Sequence, residues 1–188
     1  MKPRETTECV VLGVLMTGPM HGYDIKKFVG RHLSGIWSIS TSQLYALCHR
    51  LEEDGLASGS TSPQAGQPPR RVLSITAAGE ERFRRWVISP TRHVRDLRME
   101  FLTKLFFLRL LGLDGGGGLI EAQARLLESL KDKVEQDWGA QKDAYARVVL
   151  GFKRAQFEIA LNWLGTDVAR FIGEIDAAGA GGVPGGKP

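Results

Sequence analysis

The chain has 188 residues, of which 24% are charged and 43% hydrophobic, and its formal net charge is +4. This composition is ordinary for a globular protein with one domain or two small ones. Charged residues or glycines interrupt every apolar run before the roughly 18 residues that a membrane span needs, which excludes a transmembrane protein. The mild positive charge permits a polyanionic partner but does not require one.

The cysteines and the N-terminus indicate the compartment. Cys9 and Cys48 are far apart among apolar neighbours, without metal-ligand spacing or a disulfide framework. The apolar stretch Val10–Met16 meets Gly18-Pro19 and is followed by no small-residue cleavage site, so a secretory signal is not expected. We therefore expect a protein of the reducing cytoplasm.

Sequence signatures of catalysis and metal binding are not found. The glycine run at 115–118 is not followed by the Lys-Ser/Thr pair of a phosphate loop. The four histidines have no zinc-ligand spacing, and there is no G-x-S-x-G nucleophile motif. We expect no enzyme activity, no cofactor and no metal.

The first half of the chain predicts three helices. Residues 7–16 are apolar nearly all round, as in a buried helix, and a second helix is predicted over His21–His32. The cap-forming triplet Ser40-Thr41-Ser42 opens a third helix that ends at Gly55. Its apolar residues recur at helical spacing: Leu44, Leu47, Cys48 and Leu51.

A hairpin and a fourth helix are predicted to follow. Leu56–Ser60 and Arg70–Ile75 are the strand candidates, and the turn-rich segment Thr61–Pro69 is the predicted loop between them. Thr76 caps a helix that Ser89-Pro90 should end. Three helices, a hairpin and a helix form the winged helix, a variant of the helix-turn-helix.

The third helix has a polar face opposite its leucines. Its side chains can donate hydrogen bonds to, or accept them from, base edges and phosphates in a major groove. Considered alone, the helix would fit a solvated surface equally well. The residues of this face are Ser42, Gln43, Tyr45, Ala46, His49 and Arg50.

Three segments resemble the PadR family of transcriptional regulators. GPMHGYDI at 18–25 resembles the family's G-P-x-H-G-Y-[ED]-I segment, and ISTSQLYALCHRLEEDGL at 39–56 resembles its recognition-helix signature. RVLSITAAG at 71–79 resembles its second wing strand and the following turn. The matches occur in the family's order and cover roughly residues 8–88.

The resemblance implies roles for individual residues. The third helix would be the recognition helix, and Gly22 and Tyr23 would hold a phosphate at the start of the second helix. Arg70 and Arg71 would contact phosphates from the wing. A local turn contact is an equally good interpretation of His21. The implied DNA-binding residues are Gly22, Tyr23, Ser42, Gln43, Tyr45, His49, Arg50, Arg70 and Arg71.

The second half predicts amphipathic helices. They are expected over Arg95–Leu111, about Leu119–Trp138 and about Gln141–Phe171, with a flexible turn at Gly115–Gly118. Helices of this kind pair subunits, so we expect a homodimer. A small aromatic effector is a further candidate ligand. The residues proposed to contact it are Trp37, Phe101, Phe107, Trp138 and Trp163.

These patterns predict a mainly α protein with a small β-wing. Residues 1–90 would be a winged helix-turn-helix DNA-binding domain, 91–175 a helical dimerisation and effector domain, and 176–188 a disordered tail. The resemblance implies a DNA-binding transcriptional regulator, a repressor that binds a palindromic operator as a homodimer. The alternatives are a winged-helix protein-interaction module and a small-molecule-binding helical protein without DNA specificity.

Overall fold

The computed structural model of the protein describes residues 4–64 and 67–178. The chain divides into two units. The first unit runs to Val87 and also includes Leu102–Phe107, whereas the second comprises Ile88–Phe101 and the residues from Leu108 onward. A cut at residue 90 would leave Leu102–Phe107 outside the unit to which they belong. The prediction of a mainly helical protein with a small antiparallel sheet is confirmed.

Helix α1 (Arg4–Leu15) is buried along most of its length, as its apolar sequence predicts. Gly13 is the point of closest packing in this helix. A Cβ atom there would lie 2.6 Å from both Phe83 Cε2 and Phe107 Cζ, so any larger residue would displace an aromatic ring. The buried apolar residues of α1 are Cys9, Val10, Val11, Leu12, Val14 and Leu15.

Helices α2 (Gly22–His32) and α3 (Thr41–Glu53) lie close to their predicted positions. Helix α3 begins with a capping box, in which the Ser40 hydroxyl accepts from Gln43 N–H and the Gln43 side chain accepts from Ser40 N–H. It ends before Gly55, whose φ of +68° is the left-handed conformation that a glycine after a helix adopts readily.

Three antiparallel strands form the described sheet, in the order β1-β3-β2. They are β1 (Met20–His21), β2 (Ala57–Gln64) and β3 (Gln67–Ile75). Strand β1, which the sequence did not predict, pairs with β3 at Leu73 and Val72. It therefore joins the start of α2 to the hairpin.

The hairpin strands are longer than predicted, and the expected loop at Thr61–Pro69 is wrong over most of its length. Both strands extend into it, and residues 65–66 lie outside the described residues. Prolines are tolerated there because the outer part of β3 pairs with β2 alone and the register shifts between Ser62 and Gln64.

Helix α4 (Ala77–Val87) follows the hairpin and ends before Pro90, as predicted. The Thr76 hydroxyl accepts a hydrogen bond from Gly79 N–H at 3.2 Å, which confirms Thr76 as the cap. The inner face of α4 buries Phe83, Trp86 and Val87 in the first unit.

Helix α5 (Leu102–Leu111) contributes its first six residues to the first unit. Buried Thr103 accepts a hydrogen bond from Trp37 Nε1 at 2.6 Å. The Lys104 ammonium, fully buried, lies 5.0 Å from the centre of the Trp86 ring. These contacts make the start of α5 part of the winged-helix core.

The second unit is built mainly of two long helices, α6 (Gly116–Ala140) and α7 (Ala144–Trp163), which pack on each other. The buried carboxamide of Gln123 in α6 accepts from Thr91 N–H at 2.7 Å and donates to the Thr91 carbonyl at 3.0 Å. Both polar groups of the buried amide are thereby paired within the unit.

Local winding differs from the predicted helices in two places, before α5 and at the start of α6. The segment before α5 is a 3₁₀ turn and a π turn (Val94–Asp96 and Leu97–Phe101) instead of one helix from Arg95. The predicted turn at Gly115–Gly118 is wrong for its last three residues, which form the first turn of α6. Apolar periodicity identifies the buried face of a helix but not these local changes of winding.

The last predicted helix is divided as well. After α7 a π turn at Leu164–Val168 leads into α8 (Ala169–Ala178), and Thr166 Oγ1 donates to the Asn162 carbonyl beside that turn. Residues 176–178, which were predicted to begin a disordered tail, are helical, and residues 179–188 lie outside the described residues. None of the helices in the described ranges combines the length and hydropathy that a bilayer crossing requires.

Candidate nucleic-acid interface

Helix α3 presents a polar outer face above a leucine-rich inner face. Leu44, Leu47 and Leu51 are almost completely buried, and the Tyr45 side chain on the other face is 54% exposed. This division follows the sequence spacing, which places the apolar residues at i, i+3 and i+7. The remaining residues of the outer face are exposed Ser42, Gln43, Ala46 and His49 and half-buried Arg50.

The capping box already engages the first polar residues of this face. Gln43 Oε1 accepts from Ser40 N–H at 3.2 Å, and the Ser40 hydroxyl lies 3.2 Å from the Ser42 hydroxyl. Because the oxygen of Gln43 serves the cap, its amide nitrogen is the group suited to donate outward. Gln43 thus combines a structural contact with a position on the exposed face.

Tyr45 lies over the start of helix α2. A Cβ atom at Gly22 would lie 3.0 Å from Tyr45 Cε1, so only glycine leaves full room for the ring at this point. Tyr23, the next residue, is 64% exposed, with Lys27 Nζ 5.7 Å from its ring centre. Both tyrosines therefore present most of their surface to solvent, instead of packing in the core with only the hydroxyl exposed.

The last two predicted residues of α3 have different surroundings. His49 Nδ1 lies 3.2 Å from Glu53 Oε1, and both side chains are exposed. Arg50 is half-buried, and its Nε has no hydrogen-bond partner among the described residues. Arg50 therefore brings a guanidinium cation to the edge of the face, whereas its unpaired Nε is a buried atom.

Of the two wing arginines, Arg70 and Arg71, only Arg71 has a side chain among the described residues. The side chain of Arg70 lies outside the described residues, although its backbone is part of β3. Arg71 donates from Nε and Nη2 to Glu52 Oε1, at 3.0 and 2.7 Å. Arg71 was predicted to contact phosphate, but in this protein its guanidinium is already paired.

Two residues near the start of α2, His21 and Lys26, lie beside the polar face of α3 and the wing. His21 Nδ1 donates to the Arg71 carbonyl at 3.1 Å, which favours the local-contact interpretation of His21. Lys26, which the sequence analysis missed, lies exposed on α2 and donates to Thr41 Oγ1 at 2.6 Å. Its position four residues after Gly22, on the exposed side of α2, is the signal that could have identified it.

The five proposed effector residues are divided between the two units. Trp37 and Phe107 are buried in the first unit, whereas Phe101, Trp138 and Trp163 belong to the second. In the second unit Phe101 is fully buried with its ring 5.9 Å from that of Trp163, and Trp138 lies beneath the guanidinium groups of two arginines.

An open cavity of about 600 Å³ lies at the turn between α6 and α7. It has apolar walls and a few polar groups, and none of the five proposed effector residues lines it. Its lining residues are Asp137, Ala140, Gln141, Tyr145, Ala146, Val149 and Leu150.

The thiols of the winged-helix unit are buried and protonated. Burial raises the pKa of Cys9 to about 12 and that of Cys48 to about 11, against an ordinary value of 9.0. Thiolates are the nucleophilic form of cysteine, so neither side chain is poised for catalysis near neutral pH. Within residues 4–64 and 67–178, no group of three His, Cys, Asp or Glu side chains could hold a metal ion.

Comparison with known proteins supports the sequence resemblance. Residues 11–85 match the model of the "Transcriptional regulator PadR-like family". The chain is 26% identical over 113 residues to the "Negative transcriptional regulator PadR" of Bacillus subtilis (strain 168). That alignment covers 60% of this chain and 62% of the relative, so the chain spans less than two thirds of the curated relative's length.

Two solved structures of Bacillus subtilis PadR overlap most of the chain. The complex with operator DNA has 20% identity and a TM-score of 0.46, and the overlap covers 88% of this chain and 98% of that one. The complex with p-coumaric acid has 19% identity and a TM-score of 0.42, with coverage of 89% and 99%. At these TM-scores neither overlap indicates what this chain binds.

The segment that matches the family model coincides with the winged-helix elements. It begins within α1 and ends within α4, and thus includes the strands and the polar face of α3. The family is one of transcriptional regulators, in agreement with the expectation that the chain is not an enzyme. Residues 11–85 of this chain, which include the strands and the polar face of α3, are therefore similar to the transcriptional regulator PadR-like family.

Proposed function

We propose that this protein is a cytoplasmic transcriptional repressor that binds a palindromic operator as a homodimer. The observation that carries the proposal is the exposed polar face of α3 within a PadR-like winged helix. Each subunit would place α3 in the major groove, with half-sites about 10–10.5 bp apart or a multiple of that distance. Repression is supported by the name of the curated relative, a negative transcriptional regulator.

The chemistry of α3 supports base recognition. An amide, a phenol and an imidazole are exposed along α3, at Gln43, Tyr45 and His49. The amide nitrogen can donate to an acceptor on a base edge, and hydroxyl and imidazole groups can contact either bases or phosphates. At the end of the helix, the Glu53 carboxylate lies beside this face, 3.2 Å from His49 Nδ1.

The start of α2 supports a phosphate contact. The α2 cap residue, His21, makes no side-chain cap hydrogen bond, so no cap side chain covers the first amides of the helix. A helix N-terminus attracts anions through its amides and its dipole. Tyr23 and Lys26 would add a hydroxyl and a cation to the same contact.

Helix α7 supports the homodimer. Its residues Tyr145, Val148, Phe152 and Ile159, which we call the α7 stripe, are between 65% and 78% exposed. They are separated by three, four and seven residues, the spacing of the seam in a coiled coil. An apolar stripe of this kind is costly in water, and the same stripe of a second copy would cover it.

A small aromatic effector is the proposed signal that lowers DNA affinity. The cavity at the α6–α7 turn supports it, because its size and its mixture of apolar walls with Asp137, Gln141 and Tyr145 suit a phenolic molecule. Titration of phenolic acids against tryptophan fluorescence and DNA affinity together would test it. Quenching without loss of DNA affinity would contradict a regulatory role.

The experiment that tests DNA binding is fluorescence anisotropy with a duplex from upstream of the protein's own gene. A scrambled duplex measures non-specific binding, and a salt series measures the phosphate contribution. We expect tighter binding to the upstream duplex and loss of that preference in the double variant Gln43→Ala, Tyr45→Ala.

Gln43→Glu separates recognition from folding. A glutamate retains the oxygen that caps α3, because Glu serves the capping box as well as Gln does. It also replaces an outward amide by a carboxylate, so we expect an unchanged melting temperature and specific binding at least about 10-fold weaker.

Gln141→Glu is the matched control. Gln141 Oε1 likewise accepts from backbone N–H groups, those of Lys142 and Asp143, but it lies in the second unit. We expect this variant to bind DNA like the parent protein. Equal loss of binding in both variants, or none in Gln43→Glu, would contradict recognition by α3. Failure of the parent protein to bind either duplex would favour the interaction-module alternative.

A further inference from the structure

One wing residue connects β3 to both helices of the helix-turn-helix. The Arg71 guanidinium donates two hydrogen bonds to Glu52 Oε1 near the end of α3. The Arg71 carbonyl accepts from His21, the cap residue of α2. Arg71 also lies opposite Thr61 in the hairpin. Arg71 is therefore the residue through which the wing contacts both helices.

The ion pair fits closely against the hairpin. The side chain of Glu52 is only 16% exposed, whereas that of Arg71 is 62% exposed. A Cβ atom at Gly59 would lie 2.5 Å from Arg71 Nε and in contact with Glu52 Oε1. The pair thus lies across the surface of β2 at a residue without a side chain. Its carboxylate is screened from water, which makes the pair stronger than a fully exposed one.

We propose that Glu52 and Arg71 are positioning residues that hold the wing against the recognition helix. Arg71 then serves DNA binding through the placement of the hairpin and not as a phosphate ligand. This inference rests on the proposed function, since it assigns these residues to the same DNA-binding surface. Gly59 belongs to the arrangement because it leaves the space that the ion pair occupies.

Glu52→Gln distinguishes positioning from direct contact by the sign of its effect. If Arg71 were a phosphate ligand, neutralising Glu52 would release a cation and remove a negative charge near DNA. Both changes would strengthen binding. If the pair positions the wing, the same change loosens the hairpin and weakens binding. The two interpretations therefore predict opposite changes in affinity.

The test measures operator affinity and its salt dependence for Glu52→Gln, Arg71→Ala and the double variant. We expect each single variant to bind about 3–10-fold more weakly, a loss typical of one ion pair. The double variant should bind no worse than either single one, because both lose the same contact. The slope of log affinity against log salt should stay unchanged, whereas a lost phosphate contact would lower it by about one.

Glu81→Gln is the matched control, because it removes an exposed ion pair with Arg85 on α4. We expect this variant to retain the parent affinity. Tighter operator binding by Glu52→Gln, or a lower salt slope in Arg71→Ala, would overturn the positioning role.

Hydrogen exchange of the DNA-free protein separates this inference from the proposed function. We expect faster exchange of the backbone amides of residues 57–61 and 71–75 in Glu52→Gln, and parent-like exchange in Glu81→Gln. If the parent protein does not discriminate between duplexes, the proposed function fails, and exchange still reports on the ion pair. Unchanged exchange in Glu52→Gln would overturn the inference whatever the DNA result.

Discussion

Two helices of this protein expose faces of opposite character. The outer face of α3 is polar, with short hydrogen-bonding groups and Arg50 at its edge, whereas the α7 stripe consists of large apolar side chains. Both helices are amphipathic and each buries its other side in its own unit. The difference underlies the two proposed partners, because the chemistry of an exposed helix face limits what can cover it. A polar cationic face suits nucleic acid, and an apolar stripe at heptad spacing suits another such stripe.

The largest expected effect is the loss of stability when a buried phenylalanine is replaced by alanine. An exposed phenylalanine provides the comparison. Phe107 is completely buried, whereas Phe152 in the α7 stripe is 65% exposed. We expect Phe107→Ala to lower the free energy of unfolding by about 3–5 kcal/mol at any protein concentration. Phe152→Ala should lower it only at concentrations where the dimer forms, because it acts through association. Urea unfolding at two protein concentrations measures both, and a concentration-independent loss in Phe152→Ala would place this ring in the monomer core.

The next effect concerns association alone. Val148→Asp combined with Phe152→Asp puts two charges into the α7 stripe, and we expect dimer dissociation to be favoured by at least about 100-fold. Lys153→Asp, on an exposed position of the same helix, is the control and should remain a dimer. Sedimentation velocity distinguishes the two outcomes. A double variant that stays dimeric would show that the stripe is not the seam.

A smaller effect is the loss of stability of the first unit at alkaline pH, because both cysteines lie in that unit. Cys9 and Cys48 both belong to the first unit, and burial raises their pKa values to about 12 and 11. As the pH rises above 9, the thiols of the unfolded chain ionise before those of the folded chain, so stability is lost up to about pH 12. At pH 10 the loss is about 1–3 kcal/mol for the two thiols together.

The double variant Cys9→Ala, Cys48→Ala removes this pH-dependent term. We expect its free energy of unfolding to decline less than that of the parent between pH 8 and pH 10, measured in urea. Equal declines would mean that both thiols reach water in the folded protein.

The smallest expected effect is the loss of stability when the cap residue of a helix is replaced, and it is compared between α3 and α7. Ser40 caps α3, and Asp143 caps α7 by accepting from Ala146 N–H at 2.8 Å. Alanine at either position should cost about 1 kcal/mol of stability. We expect only Ser40→Ala to weaken operator binding as well, because it removes the acceptor of Gln43 N–H and loosens the first turn of α3, which carries Gln43. Thermal melting and anisotropy of both variants test this, and equal DNA affinities would contradict it.

Local sequence patterns determined much of the winged helix. The spacing of Leu44, Leu47 and Leu51 fixed the buried side of α3, and the cap-forming residues before it located its first turn. Thr76 and Pro90 marked the limits of α4 in the same way. These features depend on neighbouring residues, because helix periodicity and capping act within one or two turns.

Contacts between distant residues could not be predicted from such patterns. Strand β1 forms only because Met20 and His21 meet β3 about fifty residues later in the chain. The partner of Arg71 is Glu52, which the sequence analysis placed on the helix but not against the wing. A basic residue in a wing was interpreted as a phosphate ligand, since its charge is visible in the sequence and its partner is not.

The sequence by itself therefore determined the order of elements in the winged helix, the resemblance to the PadR family and the polar face of α3, because each is encoded in residues close together in the chain. The tertiary structure decided that Leu102–Phe107 complete the winged-helix core and that Arg71 pairs with Glu52. It also decided that the α7 stripe is left exposed and that the proposed effector residues are divided between the two units. These facts depend on which surfaces bury each other, and burial is set by the packing of the whole chain.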